Sequence, residues 1–183
     1  ILRGKKKLNI SECRKLNIYS KKEYLLRISW SIVRPLFYLS PRNFFSWRVF
    51  LLRLFGAKIG REVNIYPSTI IFMPWNLSIG DHCWLGEEVW IDNLAKVAIG
   101  NNVCISQGSY ICTGNHNYKD ELFSLILKPI KIEDECWIGA KTIIAPGSIL
   151  KKGSISLLGS LVSGILIENG IYKGNPAIFF KSR

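Results

Sequence analysis

From Ile59 to Val162 aliphatic residues recur every six positions. The series opens Ile59, Ile65, Ile71, Leu77, slips by two, and resumes as Ile79, Leu85, Ile91, Val97. After a second slip of two it runs Ile99, Ile105, Ile111; after a longer break it returns as Ile132, Ile138, Ile144, Leu150. Gly or a small polar residue often follows the aliphatic, and a small residue often stands four places on. A period of six is neither the 3.6 of a helix nor the alternation of an ordinary strand. It is the signature of a parallel β-helix, in which three hexads form one triangular coil and successive coils stack about 4.8 Å apart. Ile59 and Leu77, and then Ile79 and Val97, are each 18 apart, so both slips fall at the same corner. Stacked inside the coil, each aliphatic side chain contributes roughly 1.5–3 kcal/mol on full burial.

The residues ahead of the repeat read differently. Residues 1–21 are polar and basic, with Lys5-Lys6-Lys7. Lys22 to Val33 has a helical pattern that stops before Pro35. Ser40-Pro41 reads as the N-cap and first residue of a second helix, Arg42 to Phe55, closed by Gly56. Its apolar face is wide, and Arg42, Arg48 and Arg53 supply its charge. Two roles stand open for this helical pair. It covers the exposed end of the coil, or it rests an aromatic and basic face on the inner leaflet of an anionic membrane; the two are compatible. The chain thus divides into a basic segment with two helices, 1–57, and a β-helix domain, 58–183, with a loop at 115–129 and a C-terminal tail.

A length of 183 residues suits one domain with a small appendage, and 48% hydrophobic residues are ample for a core. No apolar run approaches the ~18–20 residues that span a bilayer, and Ile1-Leu2-Arg3-Gly4 opens nothing that reads as a signal peptide. The five cysteines are odd in number and form no CxxC pair, which argues against a disulfide scaffold or a zinc ribbon. Cys83 and Cys136 occupy the small-residue slot of their hexads and read as core. Reduced thiols point to the cytoplasm, including the inner face of the membrane. The net charge of +12 attracts nucleic acid, anionic lipid or phosphorylated small molecules. No nucleic-acid-binding module has a recognisable signature, so nucleic acid is not an expected partner. Trp75, Trp84, Trp90, Tyr110 and Trp137 fall on the outer faces. That much apolar surface calls for a partner or ligand, and a homotrimer packing three prisms side by side would bury it.

The chain has two histidines, so a three-histidine metal site cannot be assembled from one copy and no metal is expected. His82 lies at a corner of a regular hexad and reads as a solvated turn residue. His116 sits in Cys112-Thr113-Gly114-Asn115-His116-Asn117-Tyr118, where the hexad after Ile111 fails. A loop of about fifteen residues leaves the prism there, and long loops on rigid scaffolds are disproportionately functional. An imidazole titrates near neutrality and suits general-base work.

Several segments carry a resemblance. They are Trp47-Arg48-Val49-Phe50-Leu51-Leu52-Arg53-Leu54-Phe55-Gly56-Ala57-Lys58-Ile59-Gly60, Val89-Trp90-Ile91-Asp92-Asn93-Leu94 and the stretch around His116. Lys128-Pro129-Ile130-Lys131-Ile132-Glu133-Asp134, Trp137-Ile138-Gly139-Ala140 and Gly174-Asn175-Pro176-Ala177 complete them. Together they make the chain similar to the hexapeptide-repeat O-acetyltransferases, which include the galactoside, maltose and colanic-acid or capsule types. The resemblance implies a mainly β fold, a left-handed parallel β-helix, assembled as a homotrimer with active sites between neighbouring subunits. It implies acetyl-CoA as co-substrate along the outside of the coils, and His116 as the base that frees an acceptor hydroxyl for direct attack on the thioester. Glu88, Asp92 and Asn93 stand near the positions that contact sugar in the galactoside branch, with Glu88 in place of an Asn; Asn115, Asn117 and Tyr118, which flank the base, are further expected substrate contacts. CoA contacts carry over to Trp137, Gly139, Ala140, Ala145 and Pro146. They continue to Leu158 and Ser163, where the family usually has Ala and Thr, and to Lys173 and Pro176. The implied reaction acetylates a sugar hydroxyl in capsule, exopolysaccharide or lipopolysaccharide assembly. Acetylation of antibiotic hydroxyls is a second reading, and an inactive trimeric scaffold a third.

Overall fold

The computed structural model describes residues 19–183. The Lys5-Lys6-Lys7 run and Cys13 lie outside the described residues. Helix α1 spans Lys21–Tyr38, and Ser20 and Glu23 cap its start reciprocally, each side chain accepting from the other's backbone N–H. The helix does not stop before Pro35. That residue sits on its exposed side, where a missing N–H costs one helical bond and the ring meets solvent rather than a neighbour. Helix α2 spans Phe45–Leu54 and begins later than Ser40-Pro41 suggests. The Ser40 hydroxyl donates to the Phe37 carbonyl and so closes α1 instead of opening α2.

Beyond the helices the chain winds into a parallel β-helix with three faces. The first face stacks Lys58–Ile59, Leu77–Ile79, Val97–Ile99, Ile130–Ile132, Ile149–Leu150 and Ile165–Leu166. The second runs from Asn64–Ile65 through Trp84–Leu85, Cys104–Ile105, Trp137–Ile138 and Ile155–Ser156 to Gly170–Lys173, where Ile178–Ser182 adds an antiparallel strand. The third holds Ile70–Ile71, Trp90–Asp92, Tyr110–Cys112, Ile143–Ile144 and Leu161–Val162. Every aliphatic residue of the six-residue ladder is buried, from Ile59 through Leu150. The slips of two have a structural cause. They lengthen the strands of the first face, so that Leu77 and Ile79, and Val97 and Ile99, both point inward. Ile130 does the same beside Ile132 and pairs with Val97, so the coil resumes two residues earlier than the sequence pattern indicates.

The small residue after each aliphatic has a steric reason at the corner between the first and second faces. The side chain of Asp81 accepts from the Arg61 N–H, that of Asn101 from Asp81, and that of Asp134 from Asn101. Each capping oxygen lies where a side chain on the coil below would go. A Cβ on Gly60, Gly80 or Gly100 would come within 2.2, 2.4 and 2.3 Å of it.

The helical pair covers the open edge of the first coil, one donor to each face. Arg53 donates to the carbonyls of Ile59 and Gly60, Arg48 to that of Ile65, and the Trp30 indole to that of Ile71 at 3.0 Å. Arg48 is therefore not surface charge. It is fully buried, and its guanidinium also donates to the Ser40 hydroxyl and to the carbonyls of Pro41 and Arg42. Trp75, expected on an outer face, is sheltered instead and packs against the core. Trp84, Trp90 and Trp137 are exposed as expected.

Candidate active site

The stretch after Ile111 is a β-hairpin rather than an irregular loop. Gly114–His116 pairs antiparallel with Leu125–Leu127, His116 opposite Leu125. The hairpin leaves the third face directly from Cys112 and is tied back by the Lys128 N–H to the Thr113 carbonyl. His116 is half-buried. Its ring stacks on Phe123 at a centroid distance of 4.3 Å, nearly parallel, and Nδ1 lies 2.7 Å from the Phe123 carbonyl oxygen. A carbonyl only accepts, so Nδ1 carries the proton and Nε2 presents its lone pair. Phe123 had no signal in the sequence: it does its work through its ring and a backbone oxygen, across the hairpin.

The flanking residues divide. The Asn115 side chain accepts from the His116 N–H, and that of Asn117 accepts from Lys119, so both shape the hairpin locally. Tyr118 is 74% exposed.

Register on the third face places Phe72, Asp92, Cys112, Ala145 and Ser163 one above another, each just after an inward aliphatic. This outward column runs beside the base of the hairpin. The Asp92 carboxylate accepts from the Tyr110 hydroxyl at 3.1 Å and lies 3.9 Å from the Cys112 thiol. Burial first, then Cys112 and Asp92, push the Tyr110 phenol far up, so it remains a donor. Tyr110 also packs on Trp90, with ring centroids 4.9 Å apart. At the foot of the column the Arg27 guanidinium of α1 lies over Phe72 and over Tyr19, whose phenol is raised by burial and by Asp92. Sequence reasoning placed Tyr110 among the outer aromatics and missed its grip on Asp92. The visible signal was that Trp90 and Asp92 recur as Tyr110 and Cys112 one coil later.

Asn93 corrects an expectation. It is fully buried, its side-chain oxygen accepts from the Met73 N–H, and its amide donates to the Met73 carbonyl. With no surface exposed it is withdrawn from solvent in this chain, and the residue locks one corner to the coil below.

The residues matched to CoA contacts fall in two groups. Ala145 and Ser163 lie on the histidine's side of the third face, with Pro146 following Ala145. Trp137, Gly139, Ala140 and Leu158 lie at the opposite corner, where the second face turns into the third. Glu88 lies at that corner too, in left-handed backbone with its N–H on the Ser68 hydroxyl. The short strands Ile143–Ile144 and Leu161–Val162 run between the groups. At the far corner Gly139 packs so tightly that a Cβ would approach the Leu158 backbone N to 2.7 Å, whereas the Leu158 side chain is 74% exposed. Pro176 and Lys173 flank the turn that covers the top of the third face, through Leu161 N–H to Gly174 and Ala177 N–H to Leu161. Lys173 stacks on Phe180 at 3.7 Å. His82 pairs with Glu62 at 2.9 Å, on another corner. Among the described residues no three potential metal ligands cluster.

These features define a hexapeptide-repeat parallel β-helix with one oriented imidazole beside an open column. The chain is 39% identical over 158 residues to WcaF of Escherichia coli (strain K12), named as a colanic acid biosynthesis acetyltransferase, covering 86% of this chain and 87% of that protein. A hexapeptide-repeat acetyltransferase from Vibrio cholerae O1 biovar eltor, solved with acetyl coenzyme A, shares the fold at a TM-score of 0.84 and 23% identity. The match covers 93% of this chain and 97% of that one. A galactoside acetyltransferase solved with coenzyme A shares it at 0.82 and 20% identity, over 96% and 91% of the two chains. No family model matches the sequence. The chain belongs to the hexapeptide-repeat acetyltransferases, acyltransferases built on a left-handed parallel β-helix.

Proposed function

We propose that this protein transfers an acetyl group from acetyl-CoA to a sugar hydroxyl in surface polysaccharide assembly. The observation that carries the proposal is the His116 tautomer: the Phe123 carbonyl holds the proton on Nδ1 and leaves Nε2 free to accept one. In the proposed reaction the acceptor hydroxyl gives its proton to Nε2 as its oxygen attacks the thioester carbonyl carbon. The carbon–oxygen bond forms, the carbon–sulfur bond breaks, and the imidazolium returns the proton to the departing thiolate. Asp92, steadied by Tyr110, accepts a hydrogen bond from the sugar. The colanic-acid assignment of WcaF supports a polysaccharide acceptor.

The donor fits the small residues Ala145 and Ser163, which stand one above the other on the histidine's side of the third face, with Ala140 supplied from the opposite corner of a neighbouring copy. The exposed Leu158 gives the pantetheine arm an apolar contact, and Lys173 faces the phosphates. Because the two groups of residues sit at opposite edges of one face, a single copy does not close a site around both. Three copies packed side by side bring the histidine edge of one to the Ala140–Leu158 corner of the next and cover Trp84, Trp90 and Trp137.

The test is thiol release from acetyl-CoA with a panel of nucleotide sugars and oligosaccharides. H116A lowers kcat/KM by about 10²–10⁴-fold, while CoA affinity and trimer mass are unchanged. Turnover near wild type in H116A overturns the base assignment, and no CoA binding in the wild-type protein overturns the transferase reading.

A further inference from the structure

The capping side of α1 and α2 is spent on the first coil, and the opposite side is bare. On α1, Leu25, Ile28, Ile32 and Leu36, with Leu39 at its C-cap, are spaced three or four apart and form one stripe, exposed from 44% at Ile28 to 83% at Leu39. On α2, Trp47, Phe50 and Leu54 form a second stripe, exposed by 39%, 53% and 66%. The stripes meet. The Trp47 indole donates to the Leu36 carbonyl at 3.2 Å, and Leu36, Leu39, Phe44, Trp47 and Phe50 line a groove of about 690 Å³ between the helices. A continuous apolar face of this size on a soluble surface marks an interaction site.

Charge identifies the occupant. Residues 1–58 hold 14 of the 25 Lys and Arg but only two of the 13 Asp and Glu. From Ile59 onward the chain is balanced, with 11 of each. All of the net charge of +12 therefore belongs to the segment that carries the bare face. Lys21 and Lys22 are exposed at the start of the α1 stripe. A second copy of the same face would meet like charge. An anionic bilayer offers what both features require: an acyl boundary for the stripes and phosphates for the cations.

We propose that α1 and α2 form an in-plane membrane anchor, apolar stripes immersed in the headgroup–acyl boundary of an anionic leaflet. The stripes lie away from the edge they cap, so docking leaves the coils in water. The anchor is independent of the acetyl-transfer chemistry and stands or falls without it.

Flotation of the full chain with vesicles tests this, using phosphatidylglycerol mixed with phosphatidylethanolamine and, separately, pure phosphatidylcholine. The protein floats with the first, weakly with the second, and binding to the first falls as salt shortens electrostatic reach below about 10 Å. I28S/I32S/L36S weakens binding by about tenfold or more, with circular dichroism and CoA affinity unchanged. K21E/K22E, which leaves the apolar face intact, weakens it severalfold and supplies the test should the triple variant not fold. Absence of wild-type flotation, equal binding to both vesicle types, or undiminished binding by the variants overturns the proposal. The first outcome would mean that a second copy or residues 1–18 cover the stripes.

Discussion

Replacing Arg48 with Ala removes the pin between the helical pair and the β-helix. Its guanidinium uses four of its five N–H groups: Nε on the Ile65 carbonyl, Nη1 on Ser40 and Pro41, Nη2 on Arg42. No carboxylate is among these partners, so the charge is met entirely by oxygen dipoles. Loss of the side chain orphans the buried Ile65 carbonyl, at about 1–3 kcal/mol. It also empties the space of the two stem methylenes beyond Cβ, at about 0.8 kcal/mol each. The Pro41 and Arg42 carbonyls are only partly buried and regain water, so they add little. R48A should therefore lose about 3–5 kcal/mol. R48M, which keeps the stem, should recover about 2 kcal/mol of that loss. R48K should fall between them, because one ammonium cannot fork to the Ile65 carbonyl and to the Ser40–Arg42 stretch at once. The urea midpoint at fixed protein concentration measures the series, and amide exchange at the first coil locates the damage. A loss below about 1 kcal/mol in R48A, or equal losses in R48A and R48M, refutes this account.

Two further expectations concern the corners. G80A places a Cβ 2.4 Å from the Asn101 side-chain oxygen and 2.7 Å from Gly100 backbone; neither yields freely, so calorimetric melting should show a loss of about 1–3 kcal/mol. Glu133 is held by Lys131, Lys151 and the Lys152 N–H, which pull its carboxyl from 4.5 to about 2. A depressed folded value means the stabilisation is complete above 4.5 and fades as pH falls toward about 2. The melting difference between wild type and E133Q should follow that window, and a difference that persists unchanged below it would refute the ion-pair origin.

The core was legible because a six-residue period puts one side chain per strand inside, and nothing but an aliphatic fits repeatedly. The slips were legible as irregularities but not as longer strands: Ile130 belongs to the core through its pairing with Val97, a partner 33 residues away. Polar residues misled where they replace backbone. Asn93 reads as a surface amide, yet it serves Met73 as a neighbouring strand would. Arg48 reads as the charged side of a helix because spacing cannot reveal that the edge of a coil offers three bare carbonyls. Pro35 reads as a stop because the bias against helix before proline is real, yet one lost bond is tolerated at an exposed position. At the candidate site His116 was legible from the failed hexad, whereas its tautomer depends on the Phe123 backbone, whose side-chain identity carries no such information.

The two termini of the stack are sealed by unlike means. Side-chain donors from the helices saturate the lower rim, while the reversed strand Ile178–Ser182 and the turn before it lie over the upper one. The capped lower rim and the covered second and third faces of the upper one offer no bare strand to another molecule, which restrains a repeat that has no internal reason to stop from growing into a fibre. Shortening the protein at either side would remove that safeguard before it touched the histidine.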